Sequence, residues 1–171
     1  MMENPHSINA GQRLIANFKK YHLKHFVPKF IERQVECVSG VKLSGTIDFV
    51  GEYKGIPSII DFKTSSRPYN KDKLETNEQL YIYNHMARVV LGYEASQHVY
   101  VVFQKRLYGK PASIQVITRN VAAKDVETAL LNVTKVVKMI ETGVYIKNRN
   151  SCFFGEYRCG YYNKCYGGKN E

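Results

Sequence analysis

Two strand-forming segments joined by a turn constrain the fold of this chain more than any other feature. Residues 41–50 alternate between apolar and polar side chains, which predicts a half-buried β-strand. Residues 57–63 form a second, largely apolar run that ends in Asp61 and Lys63. The intervening residues 53–57 have a turn composition, so the pair predicts an antiparallel hairpin.

Charged side chains converge on this hairpin. Alternation along a strand predicts that Asp61 and Lys63 project to one side, while Ile60 and Phe62 point into the core. In the first strand it places Asp48 on the polar face, opposite an apolar face formed by Val41, Leu43, Ile47 and Phe49. Pairing of the two strands would bring Asp48 and Asp61 close enough to share a cation.

Two carboxylates beside an ammonium can bind a divalent cation and can position or deprotonate a water molecule next to it. This is the chemistry of phosphodiester hydrolysis. Hard oxygen ligands of this kind suit Mg²⁺ or Mn²⁺ better than zinc, which favours nitrogen and sulfur.

An ordered set of motifs follows the same region. It resembles the PD-(D/E)XK nuclease superfamily, and more narrowly its RecB-type branch, which includes the CRISPR adaptation nucleases and mitochondrial genome-maintenance exonucleases. The motif positions are Glu36, Gly45-x-x-Asp48, Asp61-x-Lys63-Thr64 and Gln79-x-x-x-Tyr83.

The resemblance implies an α/β, restriction-endonuclease-like core with a mixed central β-sheet flanked by helices. It implies DNA cleavage as the activity, with Asp48 and Asp61 as metal ligands and the Phe62 backbone carbonyl as a further ligand. Lys63 would assist the attacking water. Gln79 and Tyr83 would form a helix motif beside the site.

Glu36 has three interpretations. A two-residue turn at Ser39-Gly40 would place it opposite Leu43 on the core side, away from Asp48. A three-residue loop or a bulge near Gly45 would move it to the polar face, where it would still lie several residues from Asp48. The alternative is an edge carboxylate paired with a surface Lys or Arg.

Gln79 and Tyr83 are spaced i, i+4, so one helix face carries both. The functional interpretation is that Gln79 hydrogen-bonds a phosphate or a water and that Tyr83 packs against a sugar or base. The alternative is that Tyr83 is a core residue of an amphipathic helix, like its apolar neighbours.

The net charge of +10, from 25 Lys and Arg against 15 Asp and Glu, favours a polyanionic partner. A solvated basic surface is the alternative, but together with the phosphodiesterase-like site the charge predicts DNA as the partner. The expected phosphate-contacting loop leaves the Asp61–Lys63 strand directly and carries Arg67, Lys71 and Lys73.

The whole chain, 1–171, is expected to be a single nuclease domain, with an N-terminal helical region at 1–30, a catalytic core at 31–145 and a Cys- and Tyr-rich tail at 146–171. The predicted helices span about 10–26, 74–91 and 125–141, and the predicted strands span 31–38, 41–53, 57–63, 99–105 and 112–118. No run of apolar residues is long enough for a membrane span or a signal peptide, so a cytoplasmic or other intracellular protein is expected.

Three cysteines lie in the tail: Cys152, Cys159 and Cys165. Several RecB-type nucleases hold an iron–sulfur cluster with such residues, and Cys159-x5-Cys165 is similar to the last pair of that motif. Glu156 occupies the place of a usual cysteine, and Cys37 is expected to be buried in its strand. We therefore favour free cysteines over an iron–sulfur cluster.

The sequence thus predicts an Mg²⁺- or Mn²⁺-dependent deoxyribonuclease, an exonuclease in DNA processing, recombination or repair. The alternative is a catalytically silent, nuclease-like module that binds DNA or acts as an inhibitor. No phosphate-binding P-loop occurs in the sequence, so a helicase or recombination motor would have to come from a partner.

Overall fold

The computed structural model describes residues 5–70, 72–105, 112–144, 152–154 and 157–166. The chain divides into two compact units, Met1–Thr134 and Lys135–Glu171, and each is described by itself. The division falls inside a helix, whereas the sequence places the start of the tail at 146. The single-domain assignment remains a prediction.

The first unit contains a five-stranded sheet with the order β1-β2-β3-β4-β5. Strands β3 and β4 are parallel, and the other neighbours are antiparallel, so the predicted mixed sheet is confirmed. The strands are β1 (Phe26–Ser39), β2 (Val41–Tyr53), β3 (Ile56–Ser65), β4 (Gln97–Gln104) and β5 (Ser113–Asn120).

Helices flank the sheet as predicted: α1 (Pro5–Asn17), α2 (Asp72–Glu75), α3 (Glu78–Leu91) and α4 (Ala123–Glu141). The predicted helix at 74–91 is in fact α2 and α3, because Asn77 interrupts it with an extended backbone and caps α3 through a side-chain oxygen that accepts from the Leu80 N–H. Gly92 ends α3 in the left-handed conformation, as predicted.

The N-terminal region differs from its prediction. In place of one helix over 10–26, α1 ends at Asn17, and a π-helical turn (Phe18–His22) and a 3-10 turn (Leu23–His25) follow. Strand β1 starts at Phe26, five residues earlier than predicted, because Phe26 pairs with Tyr53 and the chain stays extended through Pro28. A residue that precedes proline disfavours the helical conformation, which is consistent with an extended Val27.

Apolar residues cover both faces of the sheet. One face packs with α2 and α3 in a cluster of Val35, Leu43, Ile47, Val50, Ile59, Leu74, Leu80, Met86, Ala87, Tyr93, Tyr100, Val102 and Ile117. The other face is largely aromatic and contains Phe26, Phe49, Tyr53, Ile60, Val99 and Val101, with Phe18, Phe62 and Phe103 packed against them. We call the first face the α3 face.

Strand β2 changes face at Asp48, which corrects one sequence prediction. Ile47 packs on the α3 face, but Phe49 belongs to the aromatic cluster on the other side. The β1–β2 ladder pairs Arg33 with Ile47 and Ile31 with Phe49 but leaves out the position between them. There Glu32 has φ 47°, a left-handed backbone that distorts the strand next to Asp48.

The second unit contains the end of α4, a two-stranded hairpin of β6 (Phe153–Phe154) and β7 (Tyr157–Arg158), and the short helix α5 (Tyr162–Tyr166). The Cys159 N–H donates to the Cys152 carbonyl at 2.8 Å, which extends the hairpin. Within the described residues, no helix is long and apolar enough to cross a membrane.

Candidate active site

Asp48 and Asp61 meet where β2 and β3 separate. The last pair of the β2–β3 ladder is Phe49 with Ile60, and one further step in that register places Asp48 opposite Asp61. At that step the Asp48 Oδ2 atom accepts a hydrogen bond of 3.0 Å from the Phe62 backbone N–H. The two residues are therefore neighbours just beyond the end of this ladder, and their sharing of a cation stays a prediction.

Asp61 is only 3% exposed and is bound at both oxygens by the neighbouring ammonium. The Lys63 Nζ atom lies 2.9 Å from Oδ1 and 2.8 Å from Oδ2, and the side chain of Lys63 is 32% exposed. Only the Oδ1 contact has hydrogen-bond geometry, so Oδ2 is a buried oxygen without a hydrogen-bond partner among the described residues. Burial raises the pKa of Asp61, Lys63 opposes that rise, and the charge of Asp48 adds to it.

Tyr83 packs against the glycine of the Gly45-x-x-Asp48 motif. A Cβ atom at Gly45 would lie 2.9 Å from the Tyr83 Cε1 atom and 3.3 Å from its hydroxyl oxygen. Gln79 donates a hydrogen bond of 3.1 Å to the same hydroxyl. The Tyr83 ring thus lies on β2 three residues before Asp48, where a side chain larger than that of glycine would have to displace it.

The structure does not bring Glu36 to these residues. Glu36 pairs with Ser44 in the β1–β2 ladder, four residues before Asp48, and its exposed carboxylate forms a 2.9 Å ion pair with Lys42. Ser39 lies opposite Val41 around Gly40, whose φ is 72°, and this is the register that a three-residue loop over 39–41 gives. Glu36 is therefore not opposite Leu43, and its ion pair with Lys42 is the edge-carboxylate alternative.

Arg67 is exposed and lies just beyond the end of β3, where the Ser65 hydroxyl bonds to both its N–H and its carbonyl. Lys71 lies outside the described residues. For Lys73 the backbone is part of α2, but its side chain also lies outside the description. The phosphate-contacting role of this loop remains a prediction.

Tyr100 adjoins the site and has no counterpart among the predicted residues. It pairs with Asp61 in the parallel β3–β4 ladder and is 1% exposed, and its hydroxyl accepts a hydrogen bond from Asn77. Burial raises the pKa of Tyr100, and the charge of Asp61 adds to the rise. The available sequence signal was a hydroxyl-bearing residue inside the buried run Val99–Val102.

The donor set fits a divalent cation at Asp48 and Asp61. Both donors are carboxylates, and the buried Oδ2 atom of Asp61, which has the Lys63 ammonium at 2.8 Å but no partner of hydrogen-bond geometry among the described residues, is an acceptor suited to a cation. Within the described parts of the chain, no group of three or more His, Cys, Asp or Glu residues gathers around one point. Cys152, Cys159 and Cys165 are among the residues searched, and Cys37 packs on the α3 face; whether the tail cysteines are free stays a prediction.

Comparisons with known proteins identify the family of this chain. The PD-(D/E)XK nuclease superfamily matches residues 6–166, whereas curated proteins give no match. A crystal structure of a "putative exonuclease" from Eubacterium rectale is similar, with a TM-score of 0.59 and 13% identity over 96% of this chain and 68% of that chain. The structure of SSO0001 has a TM-score of 0.40 and 17% identity over 78% of this chain and 61% of that chain. Because the family match extends over nearly the whole sequence, the chain belongs to the PD-(D/E)XK nuclease superfamily.

Proposed function

We propose that this protein is an Mg²⁺- or Mn²⁺-dependent DNA nuclease that acts as an exonuclease in DNA processing, recombination or repair. The observation that carries the proposal is the placement of Asp48, Asp61 and Lys63 at the opening between β2 and β3. A silent module would not need these three residues together. Burial raises the pKa of Asp61, and the charge of Asp48 adds to the rise; shifts of this kind are common at catalytic sites.

Asp48 and Asp61 would hold the cation. When bound, it supplies positive charge to the scissile phosphate and lowers the pKa of a water molecule. The Phe62 carbonyl is suited to assist, because the N–H and C=O of a strand residue point to the same neighbouring strand and this N–H points to Asp48.

Lys63 has two roles in this proposal. Its ammonium offsets the charge of Asp61, which lowers the cost of an ionised carboxylate in a buried position. It is also partly exposed, so the same group can hydrogen-bond the attacking water or stabilise charge that develops on the phosphate.

DNA is supported as the substrate by the net charge of +10 and by Arg67 beyond the end of the catalytic strand. The exonuclease mode is supported by the RecB-type motif order in the sequence. The Eubacterium rectale protein with a similar fold is described as a "putative exonuclease".

The test is cleavage of end-labelled linear DNA and covalently closed circular DNA, with Mg²⁺, with Mn²⁺ and with EDTA. We expect linear DNA to be degraded from its ends in either metal, circular DNA to persist, and EDTA to stop the reaction. Asp61→Asn and Lys63→Ala should each remove most activity. Glu52→Gln changes an exposed carboxylate on the same strand as Asp48 and is the matched control.

Three outcomes would contradict parts of the proposal. Wild-type rates in both the Asp48→Ala and Asp61→Ala proteins would show that the site is wrongly assigned. Cutting of circular DNA would replace the exonuclease mode with an endonuclease. Tight DNA binding without cleavage in any divalent metal would favour the silent module.

A further inference from the structure

A cavity of about 290 Å³ opens beside Lys63 and is lined by Lys63, Tyr69, Thr76, Asn77 and Tyr100. Because Tyr100 pairs with Asp61, the cavity borders directly on the carboxylate–ammonium pair. Its volume is at the lower end of the range for small-molecule pockets, about 300–1,000 Å³. A site of this size beside the reacting groups suits one nucleotide unit and excludes a base pair.

Aromatic rings form part of the cavity wall. The Tyr69 ring stands edge-on to the Tyr100 ring, with centroids 5.9 Å apart and planes at 85°. Tyr100 is buried, whereas Tyr69 is only half-buried and lines the cavity. A tyrosine ring at the edge of a nuclease site is a stacking surface for a nucleobase.

The position of Tyr69 is fixed by a side chain on β5. The Gln115 Oε1 atom accepts from the Tyr69 N–H at 2.9 Å, and the Gln115 Nε2 atom donates to the Tyr69 carbonyl at 2.8 Å. Gln115 is itself held by Gln104, whose Nε2 atom donates to Oε1 at 2.9 Å, and Ser113 donates to Gln104 at 3.0 Å. Because these two hydrogen bonds already order the Tyr69 backbone, a ligand loses less binding free energy to ordering this loop.

Polar groups complete the cavity. Asn77 is held at the start of α3, where its oxygen accepts from the Leu80 N–H and its amide nitrogen donates to the Tyr100 hydroxyl. Thr76 adds a hydroxyl at the exposed edge. A few fixed polar groups beside an aromatic surface are the usual composition of a site that binds a base and its sugar.

We propose that this cavity binds the base of an unpaired nucleotide next to the scissile phosphate, with Tyr69 as the stacking residue and Gln115 as the residue that positions it. The inference rests on the proposed DNA cleavage and names its substrate class. A base inside a duplex is stacked and paired and cannot enter a side cavity, so the substrate is single-stranded DNA or an unpaired end.

The test is a thermodynamic cycle that combines removal of the Tyr69 ring from the protein with removal of the bases from the DNA strand. Binding of a labelled oligothymidylate and of an all-abasic strand with the same number of phosphates is measured by anisotropy in EDTA, so that neither is cleaved. Loss of the bases should weaken binding by the wild type. In Tyr69→Leu the ratio of the Kd of the abasic strand to the Kd of the oligothymidylate should be smaller by on the order of tenfold. Tyr69→Phe keeps the ring and should behave like the wild type.

Gln115→Leu tests the positioning role. It should weaken oligothymidylate binding in the same direction as Tyr69→Leu but leave binding of the abasic strand unchanged, which a general loss of structure would not do. Adding Gln115→Leu to Tyr69→Leu should cause no further loss. Tyr161→Ala, which removes an exposed ring from the second unit, is the control and should leave the cycle as in the wild type.

The results separate this inference from the proposed function. Equal dependence on the bases in wild type and Tyr69→Leu would overturn the nucleotide site, even if the protein cleaves DNA. A Tyr69-dependent preference for bases in a protein that never cleaves would keep the site and remove the nuclease activity. Preferential cleavage of blunt duplexes over single strands would also overturn the inference.

Discussion

The Asp48 carboxylate accepts a hydrogen bond of 3.0 Å from the backbone N–H of Phe62. The β2–β3 ladder has its last pair at Phe49 and Ile60, so a side chain satisfies the N–H group beyond the end of that ladder. The carboxylate that is proposed to bind metal therefore also satisfies a backbone N–H group where the two strands separate. Both the stability of the fold and the proposed cleavage depend on Asp48, and substitutions at this residue can separate the two effects.

Asp48→Asn and Asp48→Ala should both abolish cleavage but differ in stability. The asparagine oxygen can still accept from the Phe62 N–H, whereas alanine leaves that group without its acceptor. We expect Asp48→Ala to be the less stable of the two by about 1–3 kcal/mol in urea-induced unfolding. Equal stabilities would show that water satisfies the Phe62 N–H as well as the carboxylate does.

Asp61→Asn should stabilise the metal-free protein while it abolishes activity. The pKa of Asp61 is raised in the folded state, so the fold holds that proton more tightly than the unfolded chain does. Stability is therefore lost as the pH rises from the ordinary value of 3.8 through the raised pKa, and the deficit persists above it. The Tm difference between Asp61→Asn and wild type, measured in EDTA, should be small in acid and grow through that interval.

A Tm advantage for Asp61→Asn that is the same at every pH would contradict this account, since it would not come from ionisation. Glu52→Gln, which alters an exposed carboxylate, is the control and should shift stability by no more than about 0.5 kcal/mol.

Mg²⁺ or Mn²⁺ should reverse the order of thermal stability, so that the wild type has a higher Tm than Asp61→Asn. A ligand that binds only the folded state at a hundred times its Kd adds about 2.7 kcal/mol of stability. The Tm of the wild type should therefore rise with divalent metal, and that of Asp61→Asn should not. Equal shifts in both proteins would mean that the metal binds elsewhere, and KCl at matched ionic strength controls for screening.

The sequence predicted the features that local periodicity determines. Alternation along 57–63 placed Asp61 and Lys63 on one side, and the regular β3–β4 ladder and their 2.8 Å contact agree with that. The face of Phe49 was predicted wrongly because the strand changes face at Asp48, where Glu32 of another strand has a left-handed backbone. Such a distortion depends on pairing between strands, which one strand's periodicity does not contain.

Contacts between distant segments were likewise beyond the sequence. Tyr100 reaches Asp61 only through the parallel β3–β4 register, which requires the α3 crossover to be in place. The Gln115 bonds to Tyr69 join β5 to a loop 46 residues earlier in the chain. Neither relationship has a periodicity or a spacing that could be recognised from one sequence.

Gly45→Ala should destabilise the fold because the new methyl group would meet the Tyr83 ring at 2.9 Å. We expect a cost of about 1–3 kcal/mol, typical of overpacking, and a loss of activity through displacement of the β2 segment that leads to Asp48. Tyr83→Ala in the same chain should recover part of the stability. Gly11→Ala, in a helix with nothing within 4 Å of the added Cβ, is the control and should be neutral or stabilising.

If the double variant recovers nothing, the requirement for glycine at position 45 is a property of the backbone and not of the contact with Tyr83. Unfolding free energies of the four proteins in the cycle measure this directly.

The basic loop beyond β3 should determine how DNA binding depends on salt. Every phosphate that the protein no longer neutralises should reduce the slope of log K against log salt by about 0.7 for single strands and 0.9 for B-DNA. Replacing Arg67, Lys71 and Lys73 by glutamine in the Asp61→Asn protein should therefore lower the slope by up to about 2–3 units, with little dependence on base sequence.

Glutamine at Lys124, Lys135 and Lys138, exposed lysines of α4, removes the same charge and is the matched control. If both triple variants lower the slope equally, net charge and not the loop attracts the DNA, and an unchanged slope in the first would place the phosphate path on another surface.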